Sequence, residues 1–194
     1  MESGGSDGVV PTAGIKNVIV SGGTVAGQNA GAVAGKASAG SLDYIEVANL
    51  SNIGVSVTGT KYAGGVVGIT RYVAPSGCSN TGTVTCVSGY AAGISCDTEN
   101  TFFENCHNKG NVTGKYAAGI VSITFNSYDP QYGGIISKSY NYGTIHGTTT
   151  AGAIFAVDDS ATDVFITKVK SGSESGSNEN HGTATVDNGG KLFN

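Results

Sequence analysis

The sequence predicts an all-β chain wound as a right-handed parallel β-helix, a β-solenoid of about six coils with roughly three short strands per coil. Three observations carry this. An Asn-x-Gly phrase recurs at Asn52-Gly54, Asn80-Gly82, Asn108-Gly110, Asn141-Gly143 and Asn180-Gly182, with a Ser-led version at Ser21-Gly22-Gly23. A second phrase follows in four copies: Tyr62-Ala63-Gly64-Gly65-Val66, Tyr90-Ala91-Ala92-Gly93-Ile94, Tyr116-Ala117-Ala118-Gly119-Ile120 and Ala151-Gly152-Ala153-Ile154. Short Thr/Val runs with period-2 alternation fill the intervals. A period near 30 residues is the signature of a stacked repeat, and alternation with β-branched residues that of strands.

The composition agrees. The 194 residues include 32 Gly but only 3 Pro, and charged residues make up 12 %. A disordered chain shows more charge and less apolar content, and no Gly-X-Y period marks a collagen. Gly beside nearly every apolar pair would cost a helix about 1 kcal/mol each. The net charge is −4 and Arg71 is the only arginine, so no basic stripe suits nucleic acid. No 18-residue apolar run predicts a membrane span. Residues 1–14 read as a linker behind an added start codon, and 15–194 as a single repeat domain, expected to be a segment of a larger parent protein.

The glycines at 23, 54, 82, 110, 143 and 182 lie 31, 28, 28, 33 and 39 residues apart, with the later coils lengthened by insertions. Aligned on them, Val25, Val57, Val84, Val112, Ile145 and Ala184 form one apolar ladder. Ala32, Val66, Ile94, Ile120 and Ala153 form a second, and Leu50, Cys78, Cys106 and Ser139 a third. The Asn residues are expected at coil corners, each side chain bonding the Asn one coil away and nearby backbone. The Gly two places on is expected to turn the chain back into the sheet. Cys78 and Cys106 then stack about 4.8 Å apart in the backbone. That spacing is compatible with a disulfide, but two buried thiols acting as small apolar groups is the preferred reading. Cys86 and Cys96 sit at other positions, and the four spacings match no metal signature.

The phrase Gly65-Val66-Val67-Gly68 resembles the GLUG-type repeat of bacterial surface proteins, Gly–apolar–apolar–Gly. Gly93-Ile94-Ser95-Cys96, Gly119-Ile120-Val121-Ser122 and Gly152-Ala153-Ile154-Phe155 lose the closing Gly. The resemblance covers residues 20–156. It implies an extracellular or cell-surface module of a bacterial adhesin-like or secreted protein, with a structural or adhesive role and no catalytic residues.

Chemistry is sparse. Asp158, Asp159 and Asp163 form the densest acidic group, the one place where a calcium ion could be held by oxygen ligands. A solvated acidic loop is the preferred reading, and no cofactor is otherwise expected. Asp97–Glu104 reads as a second acidic loop. His107, His146 and His181 are not equivalent positions, and adjacent Cys106 and His107 point to opposite faces of a strand. Tyr62, Tyr90 and Tyr116 stack on successive coils. They are the candidate binding residues for a sugar ring, although a structural tyrosine ladder leaning inward is the simpler reading. Thr is abundant, as at Thr81, Thr83, Thr85 and Thr148-Thr149-Thr150; regular Thr arrays on flat β-solenoids can bind ice, but here the positions do not recur at one rung through all coils, so β-propensity is taken to explain them.

The expected function is a non-enzymatic repeat module, acting as a rigid adhesive, binding or spacer segment. Its loops Asp97–Glu104, Phe125–Tyr132 and Asp158–Asp163 would be displayed to a host or microbial surface glycan or protein. The alternatives are a carbohydrate-active β-helix enzyme, lyase- or hydrolase-like, and a self-assembling solenoid joined end to end through open sheet edges.

Overall fold

The computed structural model describes residues 14–39, 45–99, 101–123, 135–157 and 178–193. These residues form a parallel β-solenoid with no helix among them. The first coil holds β1 (Gly14–Lys16), β2 (Ile19–Ser21), β3 (Thr24–Gly31) and β4 (Ala34–Ser38). The second holds β5 (Ile45–Ala48), β6 (Ser51–Ile53), β7 (Ser56–Gly64) and β8 (Val67–Arg71). The third holds β9 (Val73–Ser76), β10 (Ser79–Asn80), β11 (Val84–Ala92) and β12 (Ser95–Glu99). The fourth holds β13 (Phe102–Glu104), β14 (His107–Asn108), β15 (Val112–Ala118) and β16 (Val121–Ile123). The fifth holds β17 (Ile135–Ser137), β18 (Tyr140–Asn141), β19 (Thr144–Gly152) and β20 (Phe155–Val157). A last, partial coil contributes β21 (Glu179–Asn180), β22 (Thr183–Val186) and β23 (Lys191–Phe193).

Each strand pairs in parallel with its equivalent one coil away, building four sheets. Sheet A contains β1, β5, β9, β13 and β17; sheet B contains β2, β6, β10, β14, β18 and β21. Sheet C contains β3, β7, β11, β15, β19, β22 and β23, and sheet D β4, β8, β12, β16 and β20. A complete coil therefore has four strands where three apolar ladders predicted three. The strand without its own phrase is that of sheet A. Asp97–Glu104, read as a loop, is largely β12 and β13, with Thr101 and Phe103 buried. Backbone pairing with the neighbouring coils, Ser95 with Val67 and Val121 and Phe102 with Ile135, makes strands of a stretch whose acidic residues suggested a loop.

The first apolar ladder stands as aligned: Val25, Val57, Val84, Val112, Ile145 and Ala184 are register partners. The third does too, with Leu50, Cys78, Cys106 and Ser139 all buried. The second is off by one at both ends. Ala118 pairs with Gly152 and Val121 with Phe155, so Ile154 rather than Ala153 stands above Ile120; Ala34 pairs with Val67, so Val33 rather than Ala32 stands below Val66. Backbone pairing, which is blind to the side chain, outranks the match between phrases. The GLUG-like closing glycine has a related cause. Gly68 stacks against Gly35, and the register shift between Ser95 and Cys96 drops this position from the third coil.

The Asn-x-Gly corner is an Asn side chain folded onto its own backbone. Asn108 Oδ1 accepts from the Gly110 N–H (3.2 Å), and its Nδ2 donates to the Gly110 carbonyl (2.9 Å) and to Asn141 Oδ1 (2.9 Å). The same closure recurs at Asn80, Asn141 and Asn180. The side-chain ladder runs from Asn80 through Asn108 and Asn141 to Asn180. Asn52 differs. Its corner is one residue longer, and it bonds Val55 and the Gly65 carbonyl instead.

The glycine of the phrase serves a different purpose from the one expected. Only Gly54 takes positive φ among these five glycines. At Gly82, Gly110, Gly143 and Gly182 a Cβ would overlap backbone carbonyl oxygen of the coil below. The position is glycine because successive corners approach too closely for a side chain. The second-phrase glycines are held likewise: a Cβ on Gly93 would meet the Gly119 carbonyl and the Asn108 side chain. The two phrases therefore meet in space, each Asn filling the room beside a second-phrase glycine. Apart from Gly22, Gly23, Gly54, Tyr72 and Gly189, left-handed backbone among the described residues falls between sheets A and B, where Asn17, Asn49, Gly77, Asn105 and Lys138 stack with φ of 47–60°.

Two cores result. The larger lies inside the coil and includes Leu50, Val66, Cys78, Ile94, Cys106 and Ile120. The smaller forms where each long sheet C strand bends, so that Val57, Val84, Val112 and Ile145 pack on Ala63, Ala91 and Ala117 of the strands' own second halves. Alanine there keeps the two layers close. All four cysteines are buried free thiols. The shared hydrogen bond with Cys78, and after it burial, push the Cys106 thiol well up, and the same bond holds Cys78 below its ordinary value. Desolvation pushes Cys86 up.

Candidate functional site

Because Asn80, Asn108 and Asn141 point inward and are fully buried, alternation sends their neighbours outward. The residue before each Asn and the x of Asn-x-Gly form two outward ranks on sheet B. The first rank is Ile19, Ser51, Ser79, His107, Tyr140 and Glu179; the second is Ser21, Ile53, Thr81, Lys109, Tyr142 and His181.

The later coils concentrate rings on this wall. The Tyr142 and His181 rings stack with centroids 5.0 Å apart and 15° between planes, and Tyr142 is 45 % exposed. The His107 ring meets Tyr140 edge-on at 5.1 Å. Lys109 Nζ lies 5.7 Å from the Tyr142 ring centre. Hydrogen-bonding groups flank the rings: His181 Nε2 lies 2.9 Å from Glu179 Oε2, and His107 Nε2 lies 3.2 Å from Asn105 Oδ1. Desolvation, and secondarily the Lys109 charge, holds His107 below its ordinary imidazole value. The buried Asn ladder directly behind fixes the backbone that carries these side chains, so the ring faces are pre-organised.

This arrangement supplies ring faces, an ammonium group, hydroxyls and a carboxylate to a ligand that lies flat. Among the described residues no three His, Cys, Asp or Glu side chains group to hold a metal ion. Asp158, Asp159 and Asp163, the calcium candidates, lie outside the described residues, as does Phe125–Tyr132.

The tyrosines singled out in the sequence do form a column. Tyr62 and Tyr90 have ring centroids 5.4 Å apart, and Tyr90 and Tyr116 4.7 Å. Tyr62 is buried against Ile69, Ala92 and Cys96, while Tyr90 and Tyr116 are half-buried. The column fills the angle between sheets C and D, outside both main cores. Lys61 and Lys115 lie 5.0 and 5.1 Å from the Tyr62 and Tyr116 ring centres. Its role in packing is visible; its outer edge is open only at the later coils. The repeated letters do not mark Tyr140, Tyr142 or Lys109, and they leave His107 and His181 as non-equivalent histidines rather than members of one wall. The signal was present in the x position and the residue before Asn, the two places where the phrase varies.

Sheet C presents a second outer wall. Its two outward ranks are Thr24, Ser56, Thr83, Asn111, Thr144 and Thr183, and Ala26, Thr58, Thr85, Thr113, His146 and Thr185. Threonine fills four of the six places in each rank, interrupted by Ser56 and Asn111 in the first and by Ala26 and His146 in the second, so neither rank is threonine through every coil, yet the two ranks lie side by side.

The fold and these walls define a parallel β-solenoid that presents side chains in straight ranks from a rigid backbone. Comparison with protein-family models, curated proteins and solved structures finds no match to this chain.

Proposed function

We propose that this chain is a non-enzymatic repeat module of a bacterial cell-surface or secreted protein, a rigid segment that binds glycans along the outer wall of sheet B. The carrying observation is the exposed Tyr142–His181 stack flanked by Tyr140, His107 and Lys109. Ring faces of this kind take the apolar face of a sugar, while the flanking polar groups take its hydroxyls. The GLUG-like phrase supports the surface assignment. The acidic balance and lone arginine disfavour a nucleic-acid partner.

Retention on a panel of immobilised bacterial and host glycans tests this. Each aromatic contact contributes about 0.5–1.5 kcal/mol, so the double variant Tyr142→Ala, His181→Ala should bind roughly tenfold or more weakly. Both side chains are exposed, so the fold should persist by circular dichroism. Unchanged retention by the folded double variant would reject the wall as the site. Loss of retention in Tyr90→Ala, Tyr116→Ala instead would move the site to the tyrosine column.

A further inference from the structure

The two outward ranks of sheet C hold twelve residues, of which eight are Thr and one is Ser. The two outward ranks of sheet B also hold twelve, with Thr81 alone being threonine and with Ile, Tyr, His and Lys among the rest. Both walls belong to parallel sheets of the same solenoid. Strand propensity favours aromatic and aliphatic β-formers as much as Thr, so propensity alone does not separate them. A side-chain requirement particular to the sheet C wall does.

The geometry states what that requirement is. Successive coils are about 4.8 Å apart, and residues two apart along a strand about 6.7 Å. The nine hydroxyls therefore lie on a two-dimensional net of six rungs and two ranks, broken at Ala26, Asn111 and His146. Between the ranks runs the inward ladder Val25, Val57, Val84, Val112, Ile145 and Ala184, which ties the net to the smaller core. Threonine is stiff at χ1, so each methyl and hydroxyl holds its place. Among the described residues, the side chains of Thr24, Thr58, Thr83, Thr85 and Thr113 make no hydrogen bond to protein, leaving their hydroxyls to whatever lies outside. Thr144 and Thr183 bond one another at 3.4 Å. Neither rank carries an aromatic side chain other than His146, and neither carries a Lys, Arg, Asp or Glu.

Such a wall lacks what binds ions or single sugar rings. Over most of its length it repeats methyl and hydroxyl groups at the coil spacing, with Thr58, Thr85 and Thr113 consecutive in one rank, and that spacing suits an ordered, uncharged hydrogen-bonding lattice. We propose that the sheet C wall binds the surface of ice, through water held in register by the two Thr ranks. This site is separate from the aromatic wall of sheet B and needs no glycan.

The test uses the whole chain at micromolar concentration. Crystal growth is followed by recrystallisation in a frozen sucrose solution and by thermal hysteresis. The native chain should keep grains small and produce faceted crystals. Thr83→Lys with Thr85→Lys, at the centre of both ranks, should abolish both effects while circular dichroism stays unchanged. Should that pair unfold, Thr58→Lys and Thr113→Lys as single variants should each weaken them several-fold. Tyr142→Ala and Thr81→Lys, on the other wall, should leave them intact. A native chain without effect on ice, or full activity in the folded double-lysine variant, overturns the proposal. So does Thr83- and Thr85-dependent adsorption to crystalline chitin or cellulose without an effect on ice.

Discussion

The asparagine ladder gives the strongest quantitative prediction. Asn108 is fully buried and takes part in four hydrogen bonds: to the Gly110 N–H and carbonyl, to Asn141 Oδ1, and from Asn80 Nδ2 at 2.9 Å. In Asn108→Ala the Asn80 Nδ2 retains its bond to the Gly82 carbonyl. Asn141 Oδ1 likewise retains the Gly143 N–H. The Gly110 N–H and one Asn80 hydrogen are left buried without these partners. Each such group costs about 1–3 kcal/mol, so the expected loss is roughly 2–6 kcal/mol before any cavity is counted. Asn180→Ala is the internal control. It removes the same local closure and accepts from Asn141 at 3.0 Å, but the residue is exposed and water replaces it. The expected cost there is under about 1 kcal/mol. Urea unfolding followed by far-ultraviolet circular dichroism reads both, as a shift of midpoint at constant slope. Equal losses for the two variants, or a loss under about 1 kcal/mol at Asn108, would refute the argument that the buried corner bonds hold adjacent coils together.

Two further outcomes follow from the packing between coils. Gly110→Ala should prevent stable folding of the neighbouring coils, because its Cβ would overlap the Gly82 carbonyl, whereas Gly27→Ala, with open space around it, should shift stability by no more than about 0.5 kcal/mol; parallel thermal melts compare them. His107 is held below its ordinary value chiefly by desolvation and then by Lys109, so the unfolded chain takes up its proton first as pH falls. Its contribution to stability is therefore complete above about 6.5, the unfolded value, and declines as pH drops toward the folded pKa. An imidazole midpoint at or above 6.5 by nuclear magnetic resonance contradicts this, and Lys109→Ala should raise the midpoint only part of the way.

Much of the architecture was legible because a solenoid repeats its physics. Each Asn-x-Gly marks one corner, and spacing on those corners placed Val57 beside Val84 and Leu50 beside Cys78 without any long-range guess. Legibility failed where backbone and side chain disagree. The Ala153 and Ala32 assignments slipped because phrase similarity is carried by side chains, while register is carried by the N–H and C=O ladder. Sheet A stayed hidden because its strands share no repeated letter, its left-handed entry being filled by Asn17, Asn49, Gly77, Asn105 and Lys138 in turn. The candidate walls stayed hidden for the opposite reason. Tyr142 and His181 stand 39 residues apart, and their stack exists only once sheet B sets one coil above the other.

The sequence by itself determined that this chain is a parallel β-solenoid, where its Asn corners fall, and that Cys78 and Cys106 share a rung inside it. Those are consequences of period and of local hydrogen-bonding chemistry. Only the tertiary structure decided why Gly82, Gly110 and Gly143 must be glycine, since the clash that excludes a side chain comes from the coil below. It also decided which residues face outward together. Neighbourhood on a solenoid wall is set by stacking between coils about 4.8 Å apart, a distance along the axis that residues nearly thirty positions apart in the chain must share.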